Sequence, residues 1–309
     1  MRVSTNMIYH QSLQHINNAQ ENCMKSQSQL ASGKIVNKPS DEPYSYAQTV
    51  RLGQLENCNQ QYMKNRNLAE MGMKLQMDIL SQMNDVMIQI DTTIIQASNQ
   101  CTLNERDNVS LAEQLNSLKD QLVALANTTD GNGRYIFAGF KSDKPPFIKN
   151  VNGEIQYQGS DKEITQRVSS NNEMTTYFMG KNVFSTDENN VVFFFKTLDI
   201  GIKALNKSKI NISQSELDII QDDINKVNRE VKSALEKISN IEMKQGLQLQ
   251  YIERLNFQCD EQSIQNKQQI SKLSEINLVE GIMIFNKEME VLQASQDVFK
   301  KLNKLSLFN

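Results

Sequence analysis

Residues 217–241 read LDIIQDDINKVNREVKSALEKISNI, and their spacing decides the fold. Leu217, Ile220, Ile224, Val227, Val231, Ala234, Ile238 and Ile241 follow one another at alternating steps of three and four, without a fault. At helical pitch that puts one apolar stripe on one face and charged or amide side chains on the rest. A stripe this narrow is the seam of helix-on-helix packing, not the wall of a broad core.

The same pattern recurs toward both ends. Upstream, Leu111, Leu115, Leu118, Leu122 and Leu125 keep a strict four-three spacing. Before them, Leu68, Met71, Leu75, Ile79, Met83, Val86, Ile90, Ile94 and Ala97 are predicted to share one helix face. Thr102-Leu103-Asn104-Glu105 and Ser213-Gln214-Ser215-Glu216 have the form of capping boxes. Nearer the start, Ile16, Cys23 and Leu30 repeat at seven within a helix over about residues 5–31, which Ser32-Gly33-Lys34 ends. Ser40 or Asp41 is placed to cap the next helix, with Pro43 in its first turn. Downstream, a last helix is predicted over 265–304. Leu278, Ile282, Phe285, Met289, Leu292 and Phe299 line one face of it, with Gln296 as the polar exception, and Val291, Val298, Leu302 and Leu305 line a second. Two apolar faces on one helix imply more than one neighbour.

The middle is different. Asn127 to Gly133 is turn chemistry, Arg134-Tyr135-Ile136-Phe137-Ala138-Gly139-Phe140 is expected to be extended, and Lys144-Pro145-Pro146 excludes helix. Asn152-Gly153 ahead of the alternating Ile155-Gln156-Tyr157 is a strong hairpin signal. Ile164, Gln166 and Val168 alternate again, as do Thr175 and Tyr177, so residues 134–185 form a small β-rich insertion. Val191 to Phe195 suits a strand or a helix; Phe194, Leu198, Ile202 and Leu205 favour a helix over 190–206.

Composition narrows the function classes. A net charge of -3 over 309 residues gives no support to nucleic-acid binding through a basic face. Only 4 Pro and 12 Gly leave long helices unbroken. No stretch reaches the ~18 uncharged apolar residues of a membrane-spanning helix, and Met1 to Met7 has no secretory h-region. Cys23, Cys58, Cys101 and Cys259 form no CxxC pair and read as small apolar residues on helix faces. His10 and His15 diverge by about 140° around a helix, which does not chelate. Asp130-Gly131-Asn132-Gly133 lacks the remaining ligands of a calcium loop. No phosphate-binding, dinucleotide or zinc-hydrolase motif is present, and no Ser or Cys stands in a nucleophile context. The chain therefore reads as non-enzymatic, without cofactor, metal or small-molecule substrate: a mainly α protein, a long antiparallel bundle or coiled coil of N- and C-terminal segments with a small β-rich insertion.

Three segments carry a resemblance. Met1-Arg2-Val3-Ser4-Thr5-Asn6-Met7-Ile8-Tyr9, the stretch from Leu30-Ala31-Ser32-Gly33-Lys34 to Pro39-Ser40-Asp41-Glu42-Pro43, and the run from Leu125-Ala126-Asn127-Thr128-Thr129-Asp130-Gly131-Asn132-Gly133 to Ala138-Gly139 are similar to the bacterial flagellin family. Asp41-Glu42-Pro43 and the ending Leu305-Ser306-Leu307-Phe308 lie nearer to its hook–filament junction branch than to its filament subunits. The resemblance implies a chain folded back on itself in three domains: residues 1–43 with 265–309 as a terminal coiled-coil core, 44–133 with 190–264 as a helical bundle, and 134–189 as a β-rich outer domain. It implies a structural subunit of the flagellum, extracellular, exported by the type III route without a cleaved signal. Its partners would be another hook-associated protein on the hook side, flagellin on the filament side, copies of itself in a ring, and an export chaperone at the C-terminal helix. Ile16, Cys23 and Leu30 are then expected to pair with Leu278, Ile282, Phe285, Met289, Leu292 and Phe299. Filament flagellin is the nearest alternative, and an intracellular helical scaffold the next.

Overall fold

Scarcity of Pro and Gly has its expected consequence in long helices. The computed structural model describes residues 5–98, 105–150, 153–184, 193–207 and 214–306; for residues 5, 6, 105, 214, 215, 217 and 303–306 it describes the backbone alone. Seven helices and four strands lie within them: α1 (Thr5–Ser32), α2 (Pro43–Ser98), α3 (Glu105–Ala126), β1 (Phe147–Lys149), β2 (Ile155–Tyr157), β3 (Ile164–Arg167), β4 (Glu173–Tyr177), α4 (Gly180–Phe184), α5 (Phe193–Lys207), α6 (Gln214–Ser274) and α7 (Leu278–Ser306). By their contacts the residues form two compact units, residues 61–257 and residues 1–60 with 258–309. Residues 102–104 of the first capping box, Ser213 of the second, Cys101, Asn152, Val191-Val192 and Leu307-Phe308 lie outside the described residues.

Within residues 61–257, the apolar stripes meet in one core. Leu80, Met83, Met87 and Ile90 of α2, Leu115 and Leu122 of α3, Phe194, Phe195 and Leu198 of α5, and Val227, Val231 and Ile238 of α6 form one contiguous buried cluster. Phe147 of β1, Ile155 of β2 and Phe184 of α4 join it. Phe147, Phe184, Phe194 and Phe195 stack and tilt against one another at ring-centroid distances of 5.1–6.0 Å. The β segments pack on the helices instead of building a core of their own: β1 and β2 join this cluster, and Val168 and Met174 of the second hairpin join Ala69, Met73 and Ile252 in a smaller one. They make two separate antiparallel hairpins, β1 with β2 and β3 with β4, and Gly153 takes a left-handed φ of 78° at the first turn.

Polar side chains hold the hairpins to the helices. The Asn127 amide donates to the Phe147 carbonyl at 2.8 Å and its oxygen accepts the Phe147 N–H at 3.0 Å. Gln76, fully buried, does the same for Phe178 and also accepts from Gln245 of α6. Arg66 donates to the Val168 carbonyl and to Asn256. Burying such groups is tolerable only because they are paired. Gly72 lets α2 approach β4, since a Cβ there would lie 2.7 Å from the Tyr177 hydroxyl.

Three sequence expectations are corrected. Leu68 and Met71 are exposed, because at their level the inward face of α2 is taken by Arg66, Ala69, Met73 and Gln76. Arg134 to Phe140 is a chain of tight turns, with Gly139 at φ 62° and the Ala138 N–H bonded to the Tyr135 carbonyl, although Ile136, Phe137 and Ala138 are buried as a strand's would be. The last helix does not start near 265: α6 runs on to Ser274, and the break at 275–277 is made by tertiary pairing, with no Gly or Pro to signal it.

Leu122→Ala, in the centre of the core, is expected to cost about 2–5 kcal/mol by the cavity it leaves, measured by chemical denaturation. Glu242 of α6 has its pKa raised, chiefly by burial and then by the Asp85 carboxylate. A carboxyl whose folded pKa is raised penalises the fold above that pKa, and the penalty disappears as pH falls through it. Glu242→Gln is therefore expected to raise Tm at pH 7, with the gain shrinking toward pH 4.

Candidate assembly surface

The terminal helices are brought together by a backbone clasp. α1 ends at Ser32, and Gly33 reverses the chain with a left-handed φ of 69°. The Ile35 N–H then donates to the Ser274 carbonyl at 2.7 Å, and the Ile276 N–H donates to the Gly33 carbonyl at 3.0 Å. Lys34 and Glu275 sit as an antiparallel bridge between them. The Gln29 amide reaches the Ile35 carbonyl at 2.6 Å, and the Ser32 hydroxyl donates to the Asn37 side-chain oxygen at 2.8 Å. Val36 is buried beneath the loop. A cleft of about 430 Å³ opens beside the clasp, lined by Lys34, Asn37, Tyr46, Thr49 and Ser274 among others.

Asp41 does not cap α2 as the sequence suggested. Its carboxylate turns back to accept the N–H groups of Lys38 at 3.0 Å and Asn37 at 3.2 Å, and pairs with Lys25 of α1 at 3.3 Å. The Lys38 amide, then Lys25 and the Asn37 amide, hold its pKa below the ordinary carboxylate value against the opposing effect of burial.

From the clasp, α1 and α7 run side by side and antiparallel: Leu30 lies against the Gly281 backbone, and the Tyr9 and Phe299 rings are 5.2 Å apart. On α1 the face turned away from water carries Ile16, Ala19, Cys23, Ser26 and Leu30. On α7 it carries Gly281, Phe285, Glu288, Leu292, Ser295, Phe299 and Leu302, in unbroken steps of four and three. Of the nine residues expected at this seam, Ile16, Cys23, Leu30, Phe285, Leu292 and Phe299 are half-buried on it. Leu278, Ile282 and Met289 stand beside it, 62%, 44% and 50% exposed.

What α1 leaves uncovered is the main feature of α7. At about 100° per residue, Leu278, Ile282 and Met289 form a stripe on one flank of the seam, and Ile284, Val291 and Val298 form a second on the other. Val279 and Met283 are exposed on the side facing away. Of the second apolar face expected from the sequence, Val291 and Val298 lie on this flank, Leu302 lies on the seam, and the Leu305 side chain is outside the described residues; Ile284, seven residues before Val291, carries the same signal. Among the described residues no group of three or more His, Cys, Asp or Glu is placed to hold a metal, and Cys23, Cys58 and Cys259 are free thiols.

The depressed Asp41 pKa means that its contribution is present above the unfolded carboxylate value and is lost as pH falls through the lower folded one. Amide protection over residues 33–42 is expected to hold from pH 7 down to about pH 4 and fall below it. Asp41→Asn is expected to show the low protection already at pH 7, as read by hydrogen exchange.

Comparison with known proteins follows this geometry. The pattern of the bacterial flagellin N-terminal helical region matches residues 3–142. Over 318 aligned residues the chain is 34% identical to flagellar hook-associated protein 3 of Salmonella typhimurium, spanning 100% of this chain and 99% of that protein. The fold is shared with a putative flagellar hook-associated protein from Vibrio parahaemolyticus, at a TM-score of 0.67 and 15% identity, over 76% of this chain and 100% of that one. It is also shared with hook-associated protein 3 from Legionella pneumophila, at a TM-score of 0.65 and 20% identity, over 72% and 98% of the two chains. With full-length identity and fold in agreement, the chain belongs to the hook-associated protein 3 family of flagellin-type proteins.

Proposed function

We propose that this chain, a structural component of the flagellum at the junction of hook and filament, does its work by packing the flanks of α7 against neighbouring subunits. The observation that carries this reading is the mismatch between the apolar surface of α7 and the single helix that covers it. α1 shields one stripe, and two further stripes, Leu278–Ile282–Met289 and Ile284–Val291–Val298, stay in water. Contiguous apolar surface of this kind marks a protein interface. Stripes on opposite flanks suit a subunit with a neighbour on each side, the arrangement that closes into a ring.

The remaining assignments follow from that. Residues 1–43 with 265–309 are the assembling domain, 44–133 with 190–264 a bundle, and 134–189 the outer β-containing domain. The ring meets another hook-associated protein on one side and flagellin on the other. Before assembly the open flanks of α7 need a cover, which supports an export chaperone at the C-terminal helix and delivery through the flagellar export apparatus. The task requires packing alone and no catalysis, in line with its structural homologues. No described helix is long and apolar enough to cross a membrane.

The double variants Ile282→Asp/Met289→Asp and Ile284→Asp/Val291→Asp test each flank. Because these positions are exposed in the subunit, stability is expected to stay within about 0.5 kcal/mol per substitution. In cells lacking their own copy, the parent chain restores filaments, whereas each variant leaves bare hooks and releases flagellin to the medium. Normal filaments with both variants would refute the reading. In the isolated subunit, α7 amides are also expected to exchange faster than those of α2 around Ile90, by hydrogen-exchange mass spectrometry.

A further inference from the structure

The methionines whose side chains the structure describes range from fully buried to exposed, with Met7, Met24, Met71 and Met243 among the exposed ones. Met73, Met83 and Met87 are fully buried in residues 61–257. On α7, Met283 is 66% exposed and Met289 50% exposed, the latter in the flank stripe with Leu278 and Ile282. We propose that Met289 is a reversible oxidation site through which peroxide blocks assembly while the subunit stays folded, with Met283, exposed outside the flank stripes, oxidised alongside it. This rests on the reading of α7 as the packing surface.

The chemistry is a two-electron oxidation of the thioether. Hydrogen peroxide delivers one oxygen to sulfur as its O–O bond breaks, the other oxygen leaves as water, and the sulfur becomes a sulfoxide. An apolar, flexible side chain thereby acquires a strong hydrogen-bond acceptor. In the free subunit the sulfoxide is hydrated and costs little. Packed against an apolar neighbour it loses that water with no donor to replace it, so the penalty falls on assembly. The buried methionines of the core are protected by lack of access, which keeps the fold out of the reaction. A thiol-dependent methionine sulfoxide reductase returns the thioether and reverses the block.

The test treats the full chain with hydrogen peroxide, maps sulfoxides by peptide mass spectrometry against time, and measures cosedimentation with hooks isolated from cells lacking this protein. Three chains are compared, each against its own untreated sample: the parent, Met283→Leu/Met289→Leu, and Met71→Leu/Met243→Leu, which removes two exposed methionines elsewhere. Met283 and Met289 are expected to oxidise about tenfold or more faster than Met73, Met83 and Met87. Peroxide is expected to lower recovery on hooks about fivefold for the parent and for Met71→Leu/Met243→Leu, and less than about twofold for Met283→Leu/Met289→Leu. Reductase should restore the parent, and a thiol reductant alone, which reverses cysteine oxidation, should not. Equal oxidation rates, equal peroxide sensitivity of Met283→Leu/Met289→Leu and the parent, or rescue by thiol alone would overturn the proposal. If the untreated parent fails to sediment with hooks, the packing reading of α7 fails; if it sediments and peroxide leaves its recovery unchanged, the oxidation proposal alone fails.

Discussion

Two backbone hydrogen bonds between residues far apart in sequence, Ile35 to Ser274 and Ile276 to Gly33, set the arrangement of the terminal helices. They pin the turn after α1 to the turn before α7, so that both helices leave one point side by side. Register then needs no further device: Leu30 meets Gly281 near the clasp, and Tyr9 meets Phe299 toward the other end. Gly33 is required at the reversal because its φ is left-handed, and Asp41 holds the loop behind it by accepting two amides. The clasp closes a very long loop, whose entropic cost rises only slowly with length. The helix seam that follows is what makes closure worthwhile.

The helices themselves were legible in the sequence because apolar periodicity is a local signal with a simple geometric meaning. Leu217 to Ile241, Leu111 to Leu125 and Phe194 to Leu205 each lie in a helix at the expected place. Misreadings occurred where tertiary contact overrides the local pattern. Leu68 and Met71 fit a periodic stripe, yet Arg66 and Gln76 hold the inward face because hairpin carbonyls there need donors. Ile136, Phe137 and Ala138 are apolar enough for a strand, yet bury their side chains from turns. The stop after Ser274 has no Gly or Pro to mark it and coincides with a bridge to Lys34; only the restart is marked locally, by Asn277, whose side chain accepts the Val279 N–H. On α7, periodicity gave the apolar positions, but only the placement of α1 could say which of them are covered.

Residues 61–257 and the terminal pair solve burial differently. In the first, α2, α3, α5 and α6 surround the main core, the β1–β2 hairpin adds Phe147 and Ile155 to it, and Val168 and Met174 of the β3–β4 hairpin pack in a smaller cluster with Ala69, Met73 and Ile252. The Gln76 side chain there is matched on both sides, by Phe178 and by the Gln245 amide. Among the described residues of the terminal pair, only the small seam side chains Ala19 and Ser26 are buried, and the larger ones, such as Ile16, Phe285 and Phe299, reach intermediate burial.

The chemistry of that seam fits a pair meant to gain partners. Along α6 the inward positions from Ile220 to Ile241 are all aliphatic, which gives a stable interface within the subunit. Between α1 and α7 the seam instead includes Ala19, Ser26, Gly281, Glu288 and Ser295, while large aliphatic side chains stand on the flanks of α7. Hydrophobic stabilisation scales with area removed from water. The pair mixes small and polar groups with Leu30, Phe285, Leu292 and Phe299 inside and leaves Ile282, Ile284, Val291 and Val298 outside, so part of its apolar area stays in water. That exposed area is the surface on which the proposed packing of α7 against neighbouring subunits rests.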